Sequence, residues 1–119
     1  LETLNQIAAN GHRIAVLGDM LELGDHEAEA HLGTGAVAGR NADRIYLLGS
    51  LMTNHAAQGA LLADMPPECI VCCTSHAEIA ERLQQSLRQK DMLLIKGSRG
   101  MAMERVIEEL KTLMKNSPI

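Results

Sequence analysis

Apolar and polar positions alternate along the chain on two different periods. Four short apolar runs, Ile14–Leu17, Ile45–Leu48, Ile70–Cys73 and Met92–Ile95, are nearly unbroken, the pattern of strands buried on both faces of a parallel sheet. Helical spacing fills the intervals. Leu1, Leu4, Ile7 and Ala8 share one face, and Asn10-Gly11 is a helix stop. Ser75 with Glu78 forms a capping-box pattern ahead of Ile79, Ala80, Leu83 and Leu87. Met103, Val106, Ile107, Leu110 and Met114 define a last amphipathic helix with Glu and Lys on its other side. Two further helices are expected, from Asp25 to Arg40 and from Leu51 to Leu62. The first of these presents a small face of Ala28, Leu32, Gly35 and Ala36, which would let it approach the sheet closely. Gly33, Gly35 and Gly39 each cost it about 1 kcal/mol against Ala.

The alternation predicts an α/β, Rossmann-like three-layer domain: a mostly parallel sheet with helices on both faces. In such folds ligands sit beyond the carboxyl ends of the strands, where the strand order reverses. A 3-2-1-4 order would make the first and fourth runs neighbours. Gly18-Asp19-Met20 and Lys96-Gly97-Ser98-Arg99-Gly100 would then flank one crevice.

Composition narrows the function. The chain has 119 residues, 46% hydrophobic, with one Tyr and no Phe or Trp. That is the length of one domain, 1–119, and a module that stacks nucleic-acid bases needs aromatic faces it does not have. A net charge of −4 also argues against a phosphate-backbone binder, so no nucleic-acid partner is expected. No apolar run approaches the ~20 residues of a membrane span, and no signal segment begins the chain. Three cysteines crowded at Cys69, Cys72 and Cys73 do not suit a disulfide framework; buried thiols in a reducing, cytoplasmic setting are expected. The chain starts on a helical pattern without a Met, as a piece of a longer protein would.

The candidate chemistry lies at the strand ends. Lys96-Gly97-Ser98-Arg99-Gly100 places two cations and two glycines in five residues between a strand and a helix. Its backbone N–H groups and Ser98 could receive an anion, and Arg99 could grip a carboxylate or phosphate with two parallel bonds. The competing reading is an ordinary turn with solvated cations. It is not a Walker A loop, because the Lys precedes the glycines. Gly18-Asp19-Met20-Leu21-Glu22-Leu23-Gly24 lacks the dinucleotide fingerprint. There Asp19 could orient an amine, pair with a cation of the other loop, or simply stabilise the turn. His26 and His31 lie five apart, about 140° round a helix, so they do not converge on a metal; no metal site is expected. Cys69 and Cys72 mimic a redox pair but fall in a strand run rather than at a helix start. His12, His55 and His76 have no evident partners.

Taken together, the two strand-end segments resemble the Mur ligases, specifically the branch that adds D-alanyl-D-alanine to the peptidoglycan precursor. The matching stretches are Arg13-Ile14-Ala15-Val16-Leu17-Gly18-Asp19-Met20-Leu21-Glu22-Leu23-Gly24 and Leu94-Ile95-Lys96-Gly97-Ser98-Arg99-Gly100-Met101-Ala102-Met103-Glu104. His31 and Gly49 also fall where the family has a His and a Gly, and the likeness covers essentially the whole chain. The glycine-rich helix from Gly33 to Gly39 departs from it.

The resemblance implies a bacterial, cytoplasmic ligase of three domains, of which this chain is the third. ATP and Mg²⁺ would be bound mainly by a central ATPase domain whose P-loop, carbamylated lysine and magnesium ligands are absent here. That reaction phosphorylates the carboxylate of UDP-MurNAc-tripeptide, and the amine of D-Ala-D-Ala attacks the acyl phosphate. The third domain brings the dipeptide and closes over the central one, so alone it would carry no catalytic residue. Carried over residue by residue, Lys96, Gly97, Ser98 and Arg99 hold the dipeptide carboxylate or steady the closed site. Gly18, Asp19 and Met20 form the facing loop, with His31 in support. The alternatives are the same domain of a Mur ligase with another amino-acid substrate, and a flavodoxin- or receiver-like binding module, whose 2-1-3-4 strand order would separate the first and fourth runs.

Overall fold

The computed structural model describes residues 11–21 and 23–115. The helix expected on Leu1, Leu4, Ile7 and Ala8 lies outside them. The four apolar runs form strands β1 (Arg13–Gly18), β2 (Arg44–Leu48), β3 (Ile70–Cys73) and β4 (Met92–Lys96). All pairings are parallel, in the order β3-β2-β1-β4. β1 and β4 are therefore neighbours, in register from Arg13 opposite Met92 to Leu17 opposite Lys96, and the flavodoxin-like order does not occur.

Helices cover both faces. α1 spans Glu27–Asn41; a π-helical turn, Met52–Ala56, runs into α2 (Ala57–Leu62). α3 spans His76–Ser86 and α4 Glu104–Lys115. Because strand side chains alternate between faces, the sheet feeds two cores. Ala15, Leu17, Ile45 and Leu47 pack with Ala38, Met52, Ala56 and Ala60 from α1 and the α2 segment. Ile14, Val16, Tyr46 and Leu48 pack with Ile79 and Leu83 from α3, Met103 just before α4, and Val106 and Leu110 from α4. Tyr46 is buried, and its hydroxyl lies 3.3 Å from Ser86 Oγ. Ser86 already donates its hydrogen to the Arg82 carbonyl, so Tyr46 is the donor between them.

Three expectations shift. Burial on both faces holds for the central strands β1 and β2, whereas β3 and β4 are half-exposed. As the two edges of the sheet, each has a strand on one side only. The buried face of α1 is His31, Gly35 and Ala38, while Ala28 is exposed and Leu32 is 37% exposed. The glycines bring α1 against the π-turn and α2: Gly35 lies on the Ala56 carbonyl and Gly59 on the Leu32 carbonyl, each too close for a Cβ, while Ala38 meets the sheet. In α4 the apolar stripe ends on Leu113, packed against the core, and Met114 points outward at 57% exposure.

Local signals are met in detail. Ser75 Oγ accepts the Glu78 N–H at 3.0 Å, capping α3. Glu78 reaches one residue further back than a capping box, taking the N–H and hydroxyl of Thr74. Arg13 and Asp43 join β1 to the turn before β2: the Asp43 carboxylate accepts the Arg13 N–H at 2.7 Å and its Nη2 at 3.0 Å. The Arg13 guanidinium holds the Asp43 carboxyl below its usual range. Of the cysteines only Cys73 is buried, its thiol pushed up to about 11 by burial first. Cys69 is half-buried in a 3-10 turn, and Cys72 is exposed because β3 is an edge. No helix among the described residues is long and apolar enough to cross a membrane.

Candidate functional site

The site grows from the adjacency of β1 and β4. The backbone of Asp19 bridges both neighbours of β1, its N–H donating to the Leu48 carbonyl at 3.2 Å and its carbonyl accepting the Ser98 N–H at 3.1 Å. Leu21 N–H then donates to Ser98 Oγ at 2.6 Å. The two loops are thus cross-linked twice through Ser98. Gly18 and Gly97 lie side by side beneath Met103: a Cβ on Gly97 would meet Met103 Cγ at 2.6 Å and Gly18 Cα at 3.2 Å. At Gly97 the Gly18 backbone limits the space, whereas at Gly18 a Cβ would meet only the Met103 side chain.

An open pocket of about 840 Å³ lies at this junction, on the α1 side of the sheet. Gly18, Met20, Lys96, Gly97 and Ser98 line it, joined by Glu29 and Thr34 of α1. Lys96 and Ser98 bring a cation and a hydroxyl to its lining, Glu29 an acidic group, and Leu17, Val37 and Met52 an apolar surface. This suits a small ligand with charged groups and a short aliphatic body.

Each sequence-predicted residue can now be placed. Arg99 is exposed at the start of a 3-10 turn, Arg99–Met101, beside the pocket rather than in its wall. Asp19 is 5% exposed and outside the pocket lining. Its oxygens accept the Leu51 N–H at 3.2 Å and the Met52 N–H at 2.8 Å. That carboxylate therefore caps the first turn of the α2 segment, the turn-stabilising role, and the amine contact is not the one the structure gives it. Gly49, with φ +108° and no room for a Cβ beside the Asp19 carboxylate, makes this approach possible.

His31 is fully buried and tied at both nitrogens. The Met20 N–H donates to its Nε2 at 2.9 Å, so the ring proton resides on Nδ1 and goes to the Glu27 carbonyl. The imidazole is neutral in this arrangement and holds the Met20 backbone at the pocket edge. His26, by contrast, is exposed beside Glu29, so the two histidines do not converge. No cluster of three or more His, Cys, Asp or Glu side chains among the described residues is placed to hold a metal ion. Tyr46, the one aromatic ring, faces the core and offers no stacking surface.

Met103, Glu29 and Thr34 were not foreseen as parts of the site. Met103 sits inside an apolar helical stripe and reads as core. Glu29 and Thr34 lie on α1 and join the lining only through the fold. The partner of His76 was also hidden: its Nε2 lies 2.7 Å from the Met101 carbonyl.

Comparison with known proteins bears on the fold and the family. The chain is 31% identical over 111 residues to the UDP-N-acetylmuramoyl-tripeptide–D-alanyl-D-alanine ligase of Bacillus subtilis (strain 168), covering 92% of this chain and 24% of that protein. A crystal structure of MurF ligase from Thermotoga maritima in complex with ADP superposes with a TM-score of 0.68 at 28% identity, over 90% of this chain and 23% of that one. MurF from Acinetobacter baumannii gives a TM-score of 0.73 at 26% identity, over 93% and 25%. The chain thus spans about a quarter of the length of these relatives. Residues 1–99 match the family described as Mur ligase, glutamate ligase domain, and the chain belongs to that family.

Proposed function

We propose that this chain is the carboxyl-terminal domain of an ATP-dependent amide ligase that adds D-Ala-D-Ala to UDP-MurNAc-tripeptide, in the bacterial cytoplasm. One observation carries the reading: the Lys96–Arg99 segment and the Gly18–Met20 loop meet at the ends of adjacent parallel strands beside an open pocket that Lys96 and Ser98 help to line. The Bacillus subtilis relative bears the name of that activity.

In this reading the domain receives the incoming dipeptide. Lys96 and Ser98 take its carboxylate, with Arg99 reaching in from the rim, and the apolar surface receives the alanyl methyl groups. Gly18, Met20 and Gly97 contribute backbone walls. Asp19 and His31 hold those walls in place. ATP and Mg²⁺ would be bound mainly by the central domain of the intact ligase, as the family resemblance implies. Their chemistry activates the tripeptide carboxylate there; this domain orients the nucleophile. Orientation alone is a large share of such catalysis.

Arg99→Ala in the intact ligase should raise the KM for D-Ala-D-Ala by about tenfold or more, the loss of one charge-assisted bond pair, while the KM for ATP stays within about twofold. An unchanged dipeptide KM would overturn the assigned role. Glutamate or another single amino acid accepted in place of D-Ala-D-Ala would overturn the substrate.

A further inference from the structure

His76 is the first residue of α3, on the opposite face of the sheet from the pocket, and the reading above gives it nothing to do. Its ring nevertheless reaches 25 residues along the chain to the Lys96–Met101 segment. The Met101 carbonyl can only accept, so Nε2 carries the proton and donates at 2.7 Å. The anchor is firm: Ser75 caps α3, and Ile79, Ala80 and Leu83 of that helix are fully buried.

The peptide it grips is a critical one. The Arg99–Met101 turn is closed by Met101 N–H to the Ser98 carbonyl at 2.9 Å and by Ala102 N–H to the Arg99 carbonyl at 3.1 Å. Its exit residue, Ala102, adopts a left-handed conformation, φ +46° and ψ +48°, which a Cβ-bearing residue disfavours. Holding the Met101 carbonyl fixes the peptide plane that leads into that strained residue. The same bond therefore ties the carboxyl end of the Arg99-bearing turn to α3.

We infer that His76 is a positioning residue: through the Met101 carbonyl it locks the Arg99-bearing turn in the orientation that serves the pocket, without touching the ligand. The inference rests on the dipeptide-binding role proposed for that turn. It differs from a purely structural role because the carbonyl it holds belongs to the Arg99-bearing turn, and the bond is part-buried rather than in the core. Losing the bond should loosen the turn more than it destabilises the domain.

Two variants separate the possibilities. His76→Leu removes the donor at similar volume, and His76→Gln restores an N–H donor of comparable reach. Hydrogen exchange on this chain should show the Met101 and Ala102 amides opening about tenfold faster in H76L, with the Leu83 amide unchanged and H76Q near the parent. In the intact ligase, H76L should raise the KM for D-Ala-D-Ala about five- to tenfold, with kcat and the KM for ATP within about twofold, and H76Q should recover most of it. Unaltered exchange at Met101 and Ala102 in H76L would overturn the inference, as would H76Q as impaired as H76L. Arg99→Ala serves as the control arm. If it raises the dipeptide KM and H76L does not, the positioning role fails and the binding role stands. If Arg99→Ala leaves that KM alone, the dipeptide-binding role fails, while the exchange data still decide whether His76 holds the turn.

Discussion

Asp19 has a buried carboxylate, and nothing in its own surroundings along the chain announces what it does. A strand-end acid beside a cationic loop reads as well for ligand contact as for turn stabilisation. The choice is made by the Leu51 and Met52 N–H groups, which a parallel crossover brings to it from the end of β2. Asp19→Ala should destabilise the domain by about 3 kcal/mol, since two backbone donors lose a charged acceptor in a buried place. Asp19→Asn, which keeps an acceptor, should cost about half of that in chemical denaturation. A change in D-Ala-D-Ala KM with stability intact would instead mark Asp19 as a ligand contact. The lysine and serine that line the pocket were legible because they stand at the carboxyl end of β4 and in the loop that follows it. His31 was placed only by resemblance, since its tautomer and partners follow from a helix packing that periodicity does not reveal.

Among the elements, the strands and the two amphipathic helices were readable because a single force shapes each. Unbroken apolar runs want a buried sheet, and a regular stripe wants one buried face. α1 was readable in extent but not in orientation. Its contact with α2 runs through Gly35 and Gly59, and glycines contribute nothing to a hydrophobic stripe. The polar His31 belongs to the buried face for hydrogen-bonding reasons that hydropathy ignores. α3 is the opposite case, with its start written in the chain. Ser75→Ala should lower stability by about 1 kcal/mol in thermal or denaturant unfolding, leaving the fold unchanged. A null effect would mean that Glu78, through Thr74, secures that end alone.

The molecule as a whole carries several carboxylates held in the ionised form by their partners. Asp43 is the clearest, its carboxyl drawn below the ordinary 3.8 first by the Arg13 side-chain bonds. A carboxyl depressed in the folded state stabilises at pH values above its unfolded value, and that contribution disappears as pH falls through the folded one. Asp43→Asn should therefore lower stability near neutral pH by about 1 kcal/mol and flatten the loss of stability below about pH 4. An acid limb identical to the parent's would show that the pair contributes nothing. At this scale the sheet order mattered most. The alternation of elements allowed both 3-2-1-4 and 2-1-3-4, and only the former assembles the pocket.

That order also has a consequence for synthesis. β1 is made early and β4 late, yet β4 is the strand that covers the free side of β1. While β2 and β3 emerge from the ribosome and pair, the outer edge of β1, bearing Ile14, Ala15, Val16 and Leu17, stays open to water and to other chains. Closing it requires the most distant strand pairing in the sheet, the slowest kind of step in parallel folds. The pocket consequently cannot form on the nascent chain before β4 has emerged, and any truncation before Met92 should leave a sticky three-stranded sheet without it.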